Sequence, residues 1–434
     1  MDQSQNLSID YLDLLPDEIL LEILIKTDDL ETLSGWCRTS KRINNICQDE
    51  VLWKRKYQKD FGLSGKTVLA EGETWGELYK QRILFGINSP ISAGARSYGM
   101  IDKNGNLYML GQSTTSGIEL QVQLPFNPKE QHLVKFPTKV PPRVINISVS
   151  TSRSVAAAVT EDGKVYVWGI NHADIFNFQD DIRLIRTPRE LILPNNKKAI
   201  KIEVSKLGYI ILFEDSSVYL RIKKHRINFQ GTLDLKAIDV FIGDDIYAII
   251  TPDRKLYVGN DGNRLFTIKL APKNRSTPIM QVVIGKSFLG GNSIVVLLTT
   301  GEVYTWNYGY ESTGAIYGTT YFKLVRLPEP IVQISTGGKT FAALSKTGKL
   351  YMWGSNRHNK ISGDEQNFTT IRQGEMPYSQ YRSEISYGTP YAQDPVEISF
   401  GTPINFVSIG SEFTIAVSND GMVNFWGTRG LTPE

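Results

Sequence analysis

"VAAAVTEDGKVYVWG", residues 155–169, reads as an apolar strand, a tight turn around Asp162-Gly163, and a second strand that ends on Trp168-Gly169. The arrangement returns in "FAALSKTGKLYMWG" (341–354) and "FTIAVSNDGMVNFWG" (413–427). Weaker copies are "YGMIDKNGNLYMLG" (98–111), "YIILFEDSSVYLRI" (209–222), "IYAIITPDRKLYVG" (246–259) and "IVVLLTTGEVYTWN" (294–307). Glycine holds the turn in five copies, where positive φ is easiest for it, and Ser216 and Arg254 hold it in the third and fourth. Seven hairpins spaced 38 to 73 residues apart imply seven small sheets, and closing them into a ring hides their edges. The expected fold is mainly β, a seven-bladed β-propeller over residues 90–434, preceded by a small all-α module.

A second small residue precedes most hairpins, at Gly94, Gly208, Gly243, Gly285, Gly337 and Gly410, where blades would approach near the axis. The chain should end its last blade without a long closing strand of its own, so a strand over about Ile83 to Ile91 is expected to complete it.

Composition narrows the function classes. At 434 residues, with 41% hydrophobic and 21% charged residues, the chain is ordinary for a globular protein. It contains no apolar run of the ~20 residues a membrane helix needs, and no basic-then-apolar leader. Cys37 and Cys47 are too few for a disulfide framework, and no Cys/His cluster is spaced to hold a metal. The four histidines, His132, His172, His225 and His358, fall on separate repeats without a nucleophile elbow or phosphate loop. No catalytic residue, cofactor or metal is expected, and the protein is expected to work inside a cell. Residues 1–90 hold 11 basic and 15 acidic side chains, a net −4, which leaves +7 for the rest. That surplus is too diffuse to suggest nucleic acid, and Lys223-Lys224-His225-Arg226, with Lys197, Lys198 and Lys201 before it, reads as a solvated face lacking interleaved aromatics.

Residues 1–11 are polar, and 12–60 then carry four short helical patterns. Pro16 suits a first helical turn, with Asp17 and Glu18 at its positive end and Ile19, Leu20, Ile23 and Leu24 at helical spacing. Asp29, Ser40 and Asp49 are placed to begin three further helices, and Trp75, Leu78 and Tyr79 mark another within a helical linker over 61–89. Helices this short must share a core, and a core this small leaves apolar residues for a partner.

Leu15-Pro16-Asp17-Glu18-Ile19-Leu20, then Cys37-Arg38-Thr39-Ser40-Lys41-Arg42-Ile43, then Asp49-Glu50-Val51-Leu52-Trp53 resemble an F-box in order and spacing. The resemblance implies a Skp-type adaptor as partner and through it a cullin ubiquitin ligase, with Leu15, Pro16, Ile19, Leu20, Ile23 and Leu33 facing the adaptor. The repeats, most clearly "ISTGGKTFAALSKTGKLYMWGSN" (334–356), resemble those of the regulator of chromosome condensation family, a seven-bladed propeller. That family's usual Gly-Gln-Leu-Gly segment is reduced here to Gly309–Gly318 and Ile361–Gly363, and the third and fourth copies are expected to pack less regularly.

Together the resemblances imply a substrate-recognition subunit whose ring binds another protein. The long insertion over 355–401 offers Phe368, Arg372, Tyr378, Tyr381, Arg382, Tyr387 and Tyr391 for that contact, since Tyr and Arg bury large area while keeping a polar tip. Nucleotide exchange on a small GTPase, or a non-catalytic scaffold, including a viral one, are the alternatives. Cytoplasm or nucleus would be the compartment, in a host cell if the chain is viral, and neither a membrane nor nucleic acid is an expected partner.

Overall fold

The repeated hairpin supplies the second and third strands of each of seven antiparallel sheets. The computed structural model describes residues 15–27, 30–61, 74–76, 79, 89–95, 97–102, 105–111, 134–135, 143–152, 155–171, 174–178, 183–206, 208–224, 227–252, 255–260, 265–267, 279–286, 291–298, 300–310, 316–318, 322–361, 369–370, 390–419 and 422–427. Blades one to seven run over 91–135, 144–191, 199–236, 239–267, 279–325, 331–398 and 404–426. In blade two, Val155–Thr160 pairs with Val165–Ile170 so that Val155 faces Gly169 and Val159 faces Val165. All six residues of Val155–Thr160 are buried, because neighbouring blades cover both faces of a middle strand.

The first strand of every blade lies against the axis, around a cavity of about 170 Å³. Its channel-side edge has no further strand to bond, and a buried backbone N–H without a partner costs about 1–3 kcal/mol. Side chains of the preceding blade meet that demand. Ser92 Oγ accepts from Val149 N at 2.9 Å, Asn146 Oδ1 from Ile202 N at 2.9 Å and Ser148 Oγ from Val204 N at 3.1 Å. Gln281 Oε1 accepts from Ile334 N at 2.8 Å, Gln333 Oε1 from Val407 N at 3.0 Å and Ser335 Oγ from Ile409 N at 3.1 Å. Ser408 Oγ, accepting from Ala93 N at 2.9 Å, carries the same bond from blade seven back to blade one. The seam between blades three and four uses charge instead. Buried Lys201 donates to Asp239 at 2.9 Å, approaches Glu203 at 3.2 Å, and lies 4.2 Å from the centre of the Phe241 ring.

At one rim the loops after these inner strands are tied as well. Ala95 N reaches Ser150 O, Lys286 N reaches Gly338 O and Ser411 N reaches Gly94 O, all within 2.9 Å. The approach is close enough to dictate glycine: a Cβ at Gly337 would stand 2.1 Å from Gly410 O. At the hairpin turns Gly163 has φ +83, a region that disfavours other residues, yet in blade three Ser216 takes the same place at φ +64.

The N-terminal helices are α1 (Asp17–Lys26), α2 (Leu30–Cys37), α3 (Lys41–Gln48) and α4 (Glu50–Phe61). Ser40 Oγ accepts from Ile43 N at 3.2 Å and Asp49 Oδ1 from Val51 N at 2.9 Å, so both begin helices as their residue types predict. Leu20, Leu24, Ile25, Leu33, Ile43, Cys47 and Leu52 form the helical core. Lys56, fully buried, donates to Thr27 O at 2.6 Å and Ile25 O at 3.3 Å, at the negative end of α1. On the far side of α4, Trp53 packs on Tyr79 with ring centres 5.3 Å apart, and Tyr57 meets Trp75 edge-on at 5.6 Å. Tyr57 and Tyr79 belong to the same buried cluster as the interior of blades three, four and five, which fastens the helices to the ring.

Three expectations change. Cys37 and Cys47 are joined in a disulfide between the end of α2 and the last turn of α3. Ile91 lies in Ile91–Ala93, the inner strand of blade one, so it does not complete blade seven; residues 83–88 of that expected strand lie outside the described residues. Blade three keeps its full set of strands: four pair in sequence, and its outer hairpin, Ser217–Lys224 with Ile227–Lys236, pairs at eight positions with one shift of register between Ser217 and Val218.

Two measurements check this account of closure. Gln333→Ala, which strips the acceptor from Val407 N, should lower unfolding free energy in urea by ~1–3 kcal/mol. Deleting residues 80–92, which removes the inner strand of blade one, should lower the melting temperature sharply; an unchanged melt would show that the ring closes without it.

Candidate interaction surfaces

The face shared by α1 and α4 keeps apolar side chains in solvent. Ile19 is 46% exposed and Val51 48% exposed, among the few large hydrophobic residues so placed. Glu22, three residues after Ile19, is ion-paired with Arg55, four residues after Val51, so helical spacing sets Ile19 and Val51 near the same end of the two helices. Arg42 fixes the entry to this face, pairing with Asp17 at 2.7 Å and donating to Leu15 O.

Of the six expected adaptor-facing residues, Pro16 and Ile19 are exposed, and Leu15 and Ile23 are half-buried. Leu20 and Leu33 are each 1% exposed and serve the helical core, because they share its stripe with Leu24 and Ile43. Val51 escaped notice beside Leu52 and Trp53. The available signal was its i, i+4 relation to Arg55, which places it on the polar stripe of α4.

In the ring, the loops after two of the Trp-Gly strands share one geometry. Asn171 Oδ1 accepts from Phe176 N at 3.2 Å, and Asn356 Oδ1 accepts from Ile361 N at 2.8 Å. Asp174 at φ +52 and Asn359 at φ +56 turn the backbone where glycine would be the easier residue. The missing family segment is therefore replaced at these two places by Asn-led turns of the same length, 171–176 and 356–361. Each turn seats on the next blade. Trp426 Nε1 donates to Lys360 O at 2.7 Å, and Arg221 Nε reaches Ile175 O at 3.4 Å. Arg221 occupies in "VYLRI" the position Trp426 holds in "VNFWG", is 4% exposed, and also donates to Asn228 at 2.8 Å.

Lys360 is itself buried between blades six and seven, with its ammonium 2.7 Å from Gly337 O and 3.3 Å from Gly410 O. Burial, with Arg357 adding to it and Glu412 opposing, lowers its pKa to about 7.

The substrate-facing expectation reaches the described structure at Tyr391 alone. It is half-buried in Pro390–Ile398, opposite Ser355 on one side and Thr369 on the other. Phe368, Arg372, Tyr378, Tyr381, Arg382 and Tyr387 lie outside the described residues. Of the basic residues before the run, Lys201 is an internal ion-pair partner and Lys197 bonds Asp215 at 2.8 Å, while His225 and Arg226 of the run lie outside the described residues. Among the described residues no group of His, Cys, Asp and Glu could hold a metal, and no helix is long and apolar enough to cross a membrane.

A small helical module fixed to a seven-bladed propeller is the class these features define. Residues 12–59 match the F-box-like family model, and residues 331–360, the first three strands of blade six with most of the turn after them, match the Regulator of chromosome condensation (RCC1) repeat. The chain thus carries an F-box-like domain at its N-terminus and an RCC1 repeat within its propeller. Protein pim1 of Schizosaccharomyces pombe is 25% identical over 228 residues, 49% of this chain and 36% of that protein. The X-linked retinitis pigmentosa GTPase regulator of Mus musculus is 31% identical over 140 residues, 30% of this chain and 14% of that protein. The chain therefore spans well under half the length of either relative. Yeast RCC1 (Prp20), solved bound to Kap60, superposes with a TM-score of 0.57 at 14% identity, covering 78% of this chain and 80% of that one, a likeness of fold.

The Lys360 seat makes a pH prediction. Its folded pKa lies below the ordinary 10.5, so the unfolded chain binds the proton more tightly. Its contribution to stability should be complete above pH ~10.5 and be lost as pH falls towards ~7, at ~1.4 kcal/mol per unit of pKa difference. Lys360→Gln, which keeps a donor, should remove that slope from denaturant titrations between pH 7 and 10; a parallel slope in the variant would contradict the assignment.

Proposed function

We propose that this chain is the substrate-binding subunit of a Skp, cullin and F-box type ubiquitin ligase. Its helical module docks a Skp-type adaptor and its ring holds a protein for modification. The observation that carries the reading is the Ile19 and Val51 face, left in solvent on the side of α1 and α4 away from the aromatic seam with the ring. Covering two such side chains contributes ~1.5–3 kcal/mol each, a workable basis for a stable complex. The chain performs no chemistry in this reading; it raises the local concentration of substrate near the partner enzymes. Cytoplasm or nucleus follows as its place of work. The insertion between Ser355 and Gly401, with Tyr391 at its base, is the proposed substrate contact.

A second reading is supported by the partial match to a protein named for GTPase regulation. In it the ring would promote nucleotide release from a small GTPase. Faster nucleotide release on adding the full chain, without adaptor binding, would favour that reading.

The deciding test is binding of the full chain to a Skp-type adaptor by calorimetry. Ile19→Asp should weaken binding by about 10- to 100-fold while leaving the melt unchanged, and Val51→Asp should act alike. Leu20→Asp should instead unfold the helices, since Leu20 is a core residue. No binding by the folded wild type would reject the reading.

A further inference from the structure

We propose that the Cys37–Cys47 bond is a thiol–disulfide switch that sets how firmly α2 is held, a proposal that does not rest on the adaptor reading. These are the chain's two cysteines, and the bond joins the last residue of α2 to the last turn of α3 with Cα atoms 5.7 Å apart.

The helix on one side of that bond is the weakest of the four. It has eight residues, Gly35 within it and no basic residue in its last turn, too little to persist unaided. Among its described side chains Leu33 alone is fully buried, while Trp36 and Cys37 are half-buried. The other helices have fastenings that do not involve sulfur. Glu22–Arg55 and the Lys56 bonds to Ile25 O and Thr27 O hold α1 to α4, and Arg42–Asp17 holds α3 to α1. Opening the disulfide therefore removes the one covalent tie on α2 and leaves Leu33 as its fully buried anchor in the shared core.

The two sulfurs also differ in access. Cys47 is 7% exposed and its carbonyl accepts from Trp53 Nε1 at 2.8 Å, within the seam that fastens the helices to the ring. Half-buried Cys37 is the sulfur an incoming thiolate can reach. A glutathione thiolate attacking Cys37 forms a mixed disulfide there and expels Cys47 as the thiolate; a second glutathione attacks the mixed disulfide, releasing Cys37 and glutathione disulfide. Two electrons and two protons thus pass from two glutathione thiols to the protein, and the reverse sequence closes the bond. A disulfide in a reducing compartment is commonly of this exchanging kind.

The test uses the full chain equilibrated across ratios of reduced to oxidised glutathione. Alkylation and mass spectrometry count the free thiols, and hydrogen exchange is read over residues 30–37. Reduction should speed exchange in α2 by about tenfold or more, as expected when a short loop loses its crosslink, with α1 and the ring strands unchanged. Cys37→Ser should show the fast rate under all ratios. Equal exchange in the reduced and oxidised chain, or thiols that never pair at any ratio, overturns the switch.

Discussion

A ring of sheets has no outer partner for its innermost strands, and the donors on those edges must be satisfied across the seams. Here the solution is directional: at five of the seven seams, a side chain of one blade accepts from a backbone N–H of the next, including the closing bond from Ser408 to Ala93 N. At those seams each blade is positioned by its predecessor, to within hydrogen-bond tolerance, and five such constraints leave little freedom for the whole. Glycines at the rim, such as Gly337 against Gly410 O, follow from that closeness.

The exceptional seam is informative. Between blades three and four the acceptor role passes to Asp239, which takes Val240 N of its own strand at 2.8 Å and the Lys201 ammonium from the preceding blade. Buried Lys201 shares its charge between Asp239 and Glu203, so the three are constrained jointly, whereas a Ser or Gln rung is independent. The helices lean on the interior of blades three to five through Tyr57 and Tyr79. Blade three is thus where a charged rung, the Arg221 seat and the helical module converge, in the copies whose sequence least resembles the others.

That convergence explains what was legible beforehand. Seven blades could be read because the hairpin and the Trp-Gly ending recur at fixed local spacing, and the helix starts at Ser40 and Asp49 because a cap acts within three residues. The ladder was less visible. Its polar positions do recur, in "VINIS", "IVQIS" and "INFVS", but alternation in a strand buried on both faces reads as noise until the axis is known. Arg221 could not be assigned for a similar reason: a missing tryptophan looks like decay unless the carbonyl it served, Ile175 O, is seen still to be served. Leu20 and Ile19 are adjacent in sequence and both apolar. Only the placement of α4 decides which faces inward.

The same placement separates the two jobs of α4. One side, through Trp53 and Tyr57, meets Tyr79 and Trp75 and commits the helix to the ring; the opposite side carries Val51 and Arg55 beside α1. A helix packed on both sides transmits orientation, because aromatic contacts at 5.3 and 5.6 Å leave little room to swivel. Whatever covers Ile19 and Val51 is consequently held at a set angle to the propeller axis.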